Sequence, residues 1–211
     1  ATKNKANLGN YYRSLGNNIR ALEYYQKSML GFEDIGDTMS AAGLLVNIGL
    51  IYSDMGEHDK ALSYYEKSLK LSEEVKNMEY IAHNLNNISK FYQIKKEYSK
   101  AIEYLERCLA IWEENRNKEG IALTTMNLGV VHSAQGKDKM AIDFYNRALA
   151  IYEELGAKRG IARSLNSIGG FYNRLENPSL ALSYCLRSLE IAEEIKALPE
   201  EGIACKCLYN G

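Results

Sequence analysis

Residues 47 to 69 read NIGLIYSDMGEHDKALSYYEKSL, and forty positions later, from Asn87, the chain reads NISKFYQIKKEYSKAIEYLERCL. The pattern returns from Asn127 as NLGVVHSAQGKDKMAIDFYNRAL and from Ser167 as SIGGFYNRLENPSLALSYCLRSL. Upstream it begins at Asn7 as NLGNYYRSLGNNIRALEYYQKSM. A self-similar block of this length restricts the chain to a repeat array, because one block cannot bury its own apolar face and must stack on the next. The blocks run over about 2–36, 37–76, 77–116, 117–157 and 158–197, all within a single repeat domain, 1–211. Residues 198–211 repeat the Gly-Ile-Ala opening of earlier blocks and are expected to start a sixth first helix.

Within the second block, Ala41, Leu44, Leu45, Ile48, Ile51, Tyr52 and Met55 fall at helical spacing. Gly56 ends that run, and Ala61, Leu62, Tyr65 and Leu69 begin another. The spacing predicts first helices near 2–15, 38–55, 78–95, 118–135 and 159–175, and second helices near 18–35, 58–75, 98–115, 138–155 and 178–195. Short connections make successive helices antiparallel neighbours, so the expected fold is all-α, a solenoid of antiparallel helix pairs. A glycine column (Gly9, Gly49, Gly129, Gly169, with Ser89) and an alanine column (Ala21, Ala61, Ala101, Ala141, Ala181) mark close helix crossings. Tyr12, Tyr52, Tyr92, His132 and Tyr172 in one column, and Tyr25, Tyr65, Leu105, Tyr145 and Cys185 in another, supply the facing bulk. Trp112 shares a column with Phe32, Ser72, Tyr152 and Ala192 and is expected to be partly packed.

Composition excludes several classes. Net charge is −1 in 211 residues, which draws the chain to neither nucleic acid nor anionic membrane. No apolar run approaches the roughly 18 residues of a membrane span. The opening, ATKNKANLG, carries no signal-peptide core and starts almost inside a helix, as a piece of a longer chain would. Cys108 and Cys185 lie too far apart in the array to bridge, and Cys205 and Cys207 point to different faces of a helix. Four free thiols are therefore expected, and with them a cytoplasmic location. There is no CxxC, HExxH, phosphate loop or GxSxG, and the histidines occupy unlike places, so neither an enzyme, a cofactor nor a metal is expected.

The order Leu45, Ile48-Gly49, Tyr52, Gly56, Ala61 and Tyr65 resembles the tetratricopeptide repeat, and the resemblance covers residues 2–195. The unit here is forty residues against about 34 in the usual repeat. That length is similar to the arrays of spindle-orientation adaptors, kinesin light chains and bacterial signalling proteins. The resemblance implies a right-handed superhelical solenoid with first helices inside, serving as a scaffold that binds a peptide or helical segment of a partner protein. Two alternatives stand beside it: a sensory or regulatory module controlling an attached kinase, cyclase or DNA-binding domain, and self-association through the truncated C-terminal helix.

The same resemblance places an asparagine column on the inner groove: Asn7, Asn47, Asn87 and Asn127, with Asn86 and Asn166 beside it and Ser167 in the last block. Asparagine disfavours helix interiors, and its amide offers donor and acceptor together to a peptide backbone. A structural ladder between neighbouring helices is the competing account. Further inward positions implied are Lys3, Asn10, Arg13, Asp54, His83, Lys90, Arg163, Asn173 and Arg174, mostly basic, which points to an acidic or mixed-charge partner. Acidic pairs end the second helices, Glu73-Glu74 and Glu113-Glu114 among them, and are expected on a solvated outer face, offset by Lys76, Arg116, Lys118, Lys158, Arg159 and Lys196. A clamp for a C-terminal carboxylate would need a lysine before the asparagine, where Val46, Asn86 and Met126 stand instead.

Overall fold

The computed structural model describes residues 2–196. Ten α-helices account for nearly all of them: α1 (Thr2–Ser14), α2 (Asn18–Asp34), α3 (Thr38–Asp54), α4 (His58–Glu74), α5 (Met78–Ile94), α6 (Tyr98–Glu114), α7 (Lys118–Ala134), α8 (Asp138–Glu154), α9 (Lys158–Arg174) and α10 (Pro178–Glu194). No strand occurs among the described residues. The fold is an all-α, tetratricopeptide-like stack of helix pairs. The sixth first helix expected over 198–211, Cys205, Cys207 and any self-association through that segment lie outside the described residues.

The chain divides into two compact units, residues 1–111 and residues from 112 onward. In the first, α1 packs on α2, α3 on α4, and α4 on α5; in the second, α7 packs on α8, α8 on α9, and α9 on α10. From α2 onward a new helix starts every 20 residues, leaving three residues for each turn.

Those three residues do two jobs. The amide of the third donates back to the preceding helix, as in Asn77 N to Ser72 O (2.9 Å), while the amide of the second donates to Glu73 O (3.1 Å). This paired pattern satisfies carbonyls at the helix end and requires a left-handed residue at the middle position. Glycine fills it at Gly16, Gly36, Gly56, Gly136 and Gly156, whereas Lys76, Lys96, Arg116, Glu176 and Lys196 adopt it at φ between 52° and 60°. The third residue then caps the next helix: Asn17, Asp37, Asn77, Asn117 and Asn177 each accept from a backbone amide three residues on. Glu57, Lys137 and Ala157 stand in the same place without a side-chain cap.

Packing explains the columns. A Cβ on Gly9, Gly49 or Gly129 would lie 2.4, 2.6 or 2.7 Å from the ring of Tyr25, Tyr65 or Tyr145, so only glycine admits the tyrosine. The alanine column is buried throughout. The Tyr12 column stacks on a further one: Tyr12 on Tyr24, Tyr52 on Tyr64, Tyr92 on Tyr104, His132 on Phe144 and Tyr172 on Tyr184, with centroids 5.2–5.7 Å apart. Ser28, Ser68 and Ser188 donate their hydroxyls to the main-chain oxygens of Thr2, Ala42 and Ala162, and Cys108 does the same with its thiol to Ala82. These bonds tie second helix to first in four of the five pairs; α8 carries Ala148 at that place and makes none.

Three expectations are corrected. Trp112 is fully rather than partly packed, at 5% exposure, because Gly120 opens a slot that a Cβ would close to 2.4 Å from the indole. Cys108 is free and buried, but Cys185 is disulfide-bonded, so the expectation of four free thiols fails there. The acidic pairs stand exposed, as expected, but their counter-charges differ in part from those expected. Glu73 pairs with Arg107, Glu113 with Arg147 and Glu153 with Arg187, while Glu154 and Glu194 hold Lys118 and Lys158. Of the expected counter-charges, Lys118 and Lys158 do pair with acids at the helix ends, whereas Lys76, Arg116 and Lys196 are left-handed turn residues.

Candidate partner-binding face

In the first unit, α1, α3 and α5 present the asparagine column beside two clefts. One, of about 420 Å³, is lined by Asn7, Asn10 and Asn47 together with Val46 and Tyr80. Here Asn47 serves the structure: Arg13 donates to its Oδ1 (3.2 Å), and its own amide donates to Asn10 Oδ1 (3.4 Å). The Tyr25 hydroxyl donates to the same Asn10 oxygen at 2.7 Å. Burial raises the Tyr25 pKa, with the nearby Arg13 charge pulling the other way. Asn47 thus forms part of a ladder between neighbouring first helices.

The second cleft differs. It encloses about 250 Å³ over an apolar floor of Leu50, Phe91 and Ile94, with Asp54, His58, Asn87 and Lys90 around it. The Tyr65 phenol lines it too, its pKa pushed up to about 12, chiefly by burial. Asn87 is half-buried and makes no hydrogen bond among the described residues. A half-buried amide left unbonded is a group with unused capacity to bind.

The remaining expected residues scatter. Asn7 is exposed and Asn127 half-buried, but Asn86 and Asn166 are only 8% exposed, which withdraws them from a surface contact. Both amide atoms of Asn166 are buried without a partner. Ser167 turns its hydroxyl onto its own helix, at Arg163 O (3.0 Å). His83 lies 3.7 Å from Glu79. Among the basic residues, Arg174 is bound to Asp138 and donates to Ser133 Oγ, Lys3 adds its charge near Asp37, and Arg163 is exposed. The basic positions are thus partly neutralised within the fold.

Sequence reading missed that the Tyr25 and Tyr65 hydroxyls reach this face. Their partners, Asn10 and Ser53, sit in neighbouring first-helix columns, so polar residues facing a tyrosine column were the available signal. Among the described residues no group of three or more His, Cys, Asp or Glu gathers as metal ligands, and no helix is long and apolar enough to cross a membrane.

With repeat, turns and face in place, the class is a helical-repeat interaction module. The tetratricopeptide repeat family model matches residues 1–75 and 80–154, and the chain belongs to that family. No curated protein matches the sequence. Among solved structures it is similar to BtubC (BKLC) from P. vanneervenii, with TM-score 0.75 and 20% identity over 90% of this chain and 79% of that one. A Rap protein complexed with Competence and Sporulation Factor aligns with TM-score 0.82 and 17% identity over 96% of this chain, which spans 61% of that protein. Kinesin-light-chain TPR-like repeats from Podosopora anserina align with TM-score 0.68 and 15% identity over 92% of this chain and 96% of theirs. At these identities the likeness shows the fold.

Proposed function

We propose that the chain is a protein-interaction scaffold and that the α3–α5 face of its first unit holds an extended peptide segment of a partner. The unbonded Asn87 amide beside an apolar floor carries the reading: the amide suits the partner's backbone, and Leu50, Phe91 and Ile94 suit one of its apolar side chains. Membership of the repeat family and the Rap neighbour's complex with Competence and Sporulation Factor support it. Lys90 and Asp54 make the cleft mixed in charge, which favours a mixed-charge peptide over a uniformly acidic one.

The test is a peptide array probed with the full chain, followed by titration of the best binder. Asn87→Ala removes one or two hydrogen bonds, each worth about 0.5–1.5 kcal/mol, and should weaken binding at every salt concentration. Lys90→Glu should act chiefly at low salt, where screening is weakest. Binding that survives both changes would refute the placement.

A further inference from the structure

The second unit repeats the frame of the α3–α5 cleft. Ser53, Ala61, Tyr65 and Phe91 of that cleft return two blocks later as Ser133, Ala141, Tyr145 and Phe171. The buried Tyr145 phenol bonds to Ser133 as Tyr65 bonds to Ser53. What differs is the place of one ion pair. In the first unit Lys95 pairs with Asp59 at 3.0 Å and lies over the Phe91 ring, 5.3 Å from its centroid. In the second unit Arg174 pairs with Asp138 and lies over the Phe171 ring, also at 5.3 Å. Each bridge joins the C-terminal end of a first helix to the first turn of the second helix before it, but both members of the second bridge stand one residue earlier in their blocks.

That one-residue step decides what lines each frame. The Lys95–Asp59 bridge stands beside the first unit's cleft, and the positions that line it fall to Ile94 and His58. In the second unit those same positions are Arg174 and Asp138, and the Arg174 guanidinium also donates to Ser133 Oγ at 3.2 Å. A planar fork suits this double task, since it can reach a carboxylate and a hydroxyl together. The neighbouring groups change as well. Ser167, in the place of Asn87, commits its hydroxyl to Arg163 O at 3.0 Å, and Gly170 stands where Lys90 does. An apolar side chain laid on the second unit's frame would cover an ion pair and strip its water, which disfavours it there.

Building on the peptide reading of the α3–α5 cleft, we infer that His58 and Ile94 set its specificity: they form the slot for one apolar side chain of the partner segment, and the second unit, with Asp138 and Arg174 in their places, takes none. At about 250 Å³ the cleft is smaller than the roughly 300–1,000 Å³ of a site for a whole small molecule, a size suited to a single side chain. Asn87 holds the segment's backbone beside the slot, so backbone grip and side-chain choice come from different residues. The frame occurs in both units, but the chain binds one segment through it.

The experiment titrates the full chain, labelled with nitrogen-15, with two probes and follows its backbone amides by NMR. N-acetyl-leucine methylamide offers one apolar side chain on a peptide unit; N-acetyl-glycine methylamide offers the peptide unit alone. The leucine probe should shift amides over residues 50–58 and 87–94 and bind about tenfold more tightly than the glycine probe, as burial of one leucine side chain predicts. Neither probe should shift residues 130–138 or 167–174. Ile94→Arg with His58→Asp should remove the leucine preference while the weak glycine response stays. The reverse exchange, Arg174→Ile with Asp138→His, should open a second site, seen as leucine-dependent shifts over 130–138 and 167–174. Silence of α3 and α5 toward both probes would defeat the peptide reading and the slot with it. Equal affinity for the two probes, a leucine preference that survives the first exchange, or a reverse exchange that opens no second site would overturn the slot and leave the peptide reading standing.

Discussion

The α4–α5 crossing in the first unit and the α8–α9 crossing in the second occupy equivalent places in the repeat and are built in opposite senses. At α8–α9 the second helix brings the bulk: Tyr152 is buried, and a Cβ on Gly160 would lie 2.3 Å from its ring. At α4–α5 the second helix brings Ser72, buried and bonded to Ser68 O, while the bulk comes from Tyr80 on the first helix. That tyrosine reaches Gly43, where a Cβ would lie 2.9 Å from its hydroxyl. The turns are inverted too. Lys76 takes the left-handed position before the capping Asn77, whereas Gly156 takes it before Ala157, which caps nothing. What the repeat requires at a crossing is a filled volume and a closed turn; which residue supplies either is free to change sides.

The largest effect should come from emptying the buried side of this pair. Tyr152→Ala should cost about 3–5 kcal/mol by denaturant unfolding, as large aromatic truncations in cores do. Tyr80→Ala, at a half-buried ring, should cost roughly half as much. Exchanging the two designs is the sharper test. Gly160→Tyr alone should overpack the crossing by about 1–3 kcal/mol, and adding Tyr152→Ser should recover part of that loss. Strict additivity in that cycle would mean the two positions do not share one space. At the turns the effects are smaller. Asn77→Ala should lose about 1 kcal/mol with the cap, and Ala157→Asn should gain up to a similar amount. Smallest is Lys76→Gly. It relieves about 1–2 kcal/mol of left-handed strain but gives back about 0.4–1 kcal/mol in unfolded-chain entropy, leaving a net gain of about 0.8 kcal/mol and a slightly higher Tm.

Much of this was legible in the sequence. Gly9, Gly49 and Gly129 announced close crossings, and the spacing of Ala41 to Met55 set α3 to within a residue or two, because a forty-residue repeat states each local preference several times. The left-handed lysines were not legible. The forty-residue register aligns Lys76 with Gly36 and Lys96 with Gly56, but nothing in a lysine itself signals a left-handed backbone. Trp112 was under-read because its slot belongs to Gly120, a residue in another column. For the candidate face, the asparagine column could be seen, but the commitment of Asn47 to Arg13 and the freedom of Asn87 could not. They depend on how far one first helix is offset from the next, a quantity no single block contains. Asn86 and Asn166 show the same limit, one column over and out of reach.

The three-residue turns carry a consequence for how such a chain can change length. The residue that closes one helix is also the one that opens the next, as Asn77 does between α4 and α5, so no connecting segment is left over to absorb an added residue. One inserted amino acid must be taken up inside a helix, where it rotates everything beyond it by about 100° and swings the apolar stripe off its partner. A whole forty-residue block inserted at a turn leaves every stripe in phase. The array is therefore intolerant of small insertions and permissive of large ones in the right quantum, so its natural currency of growth is the duplicated block.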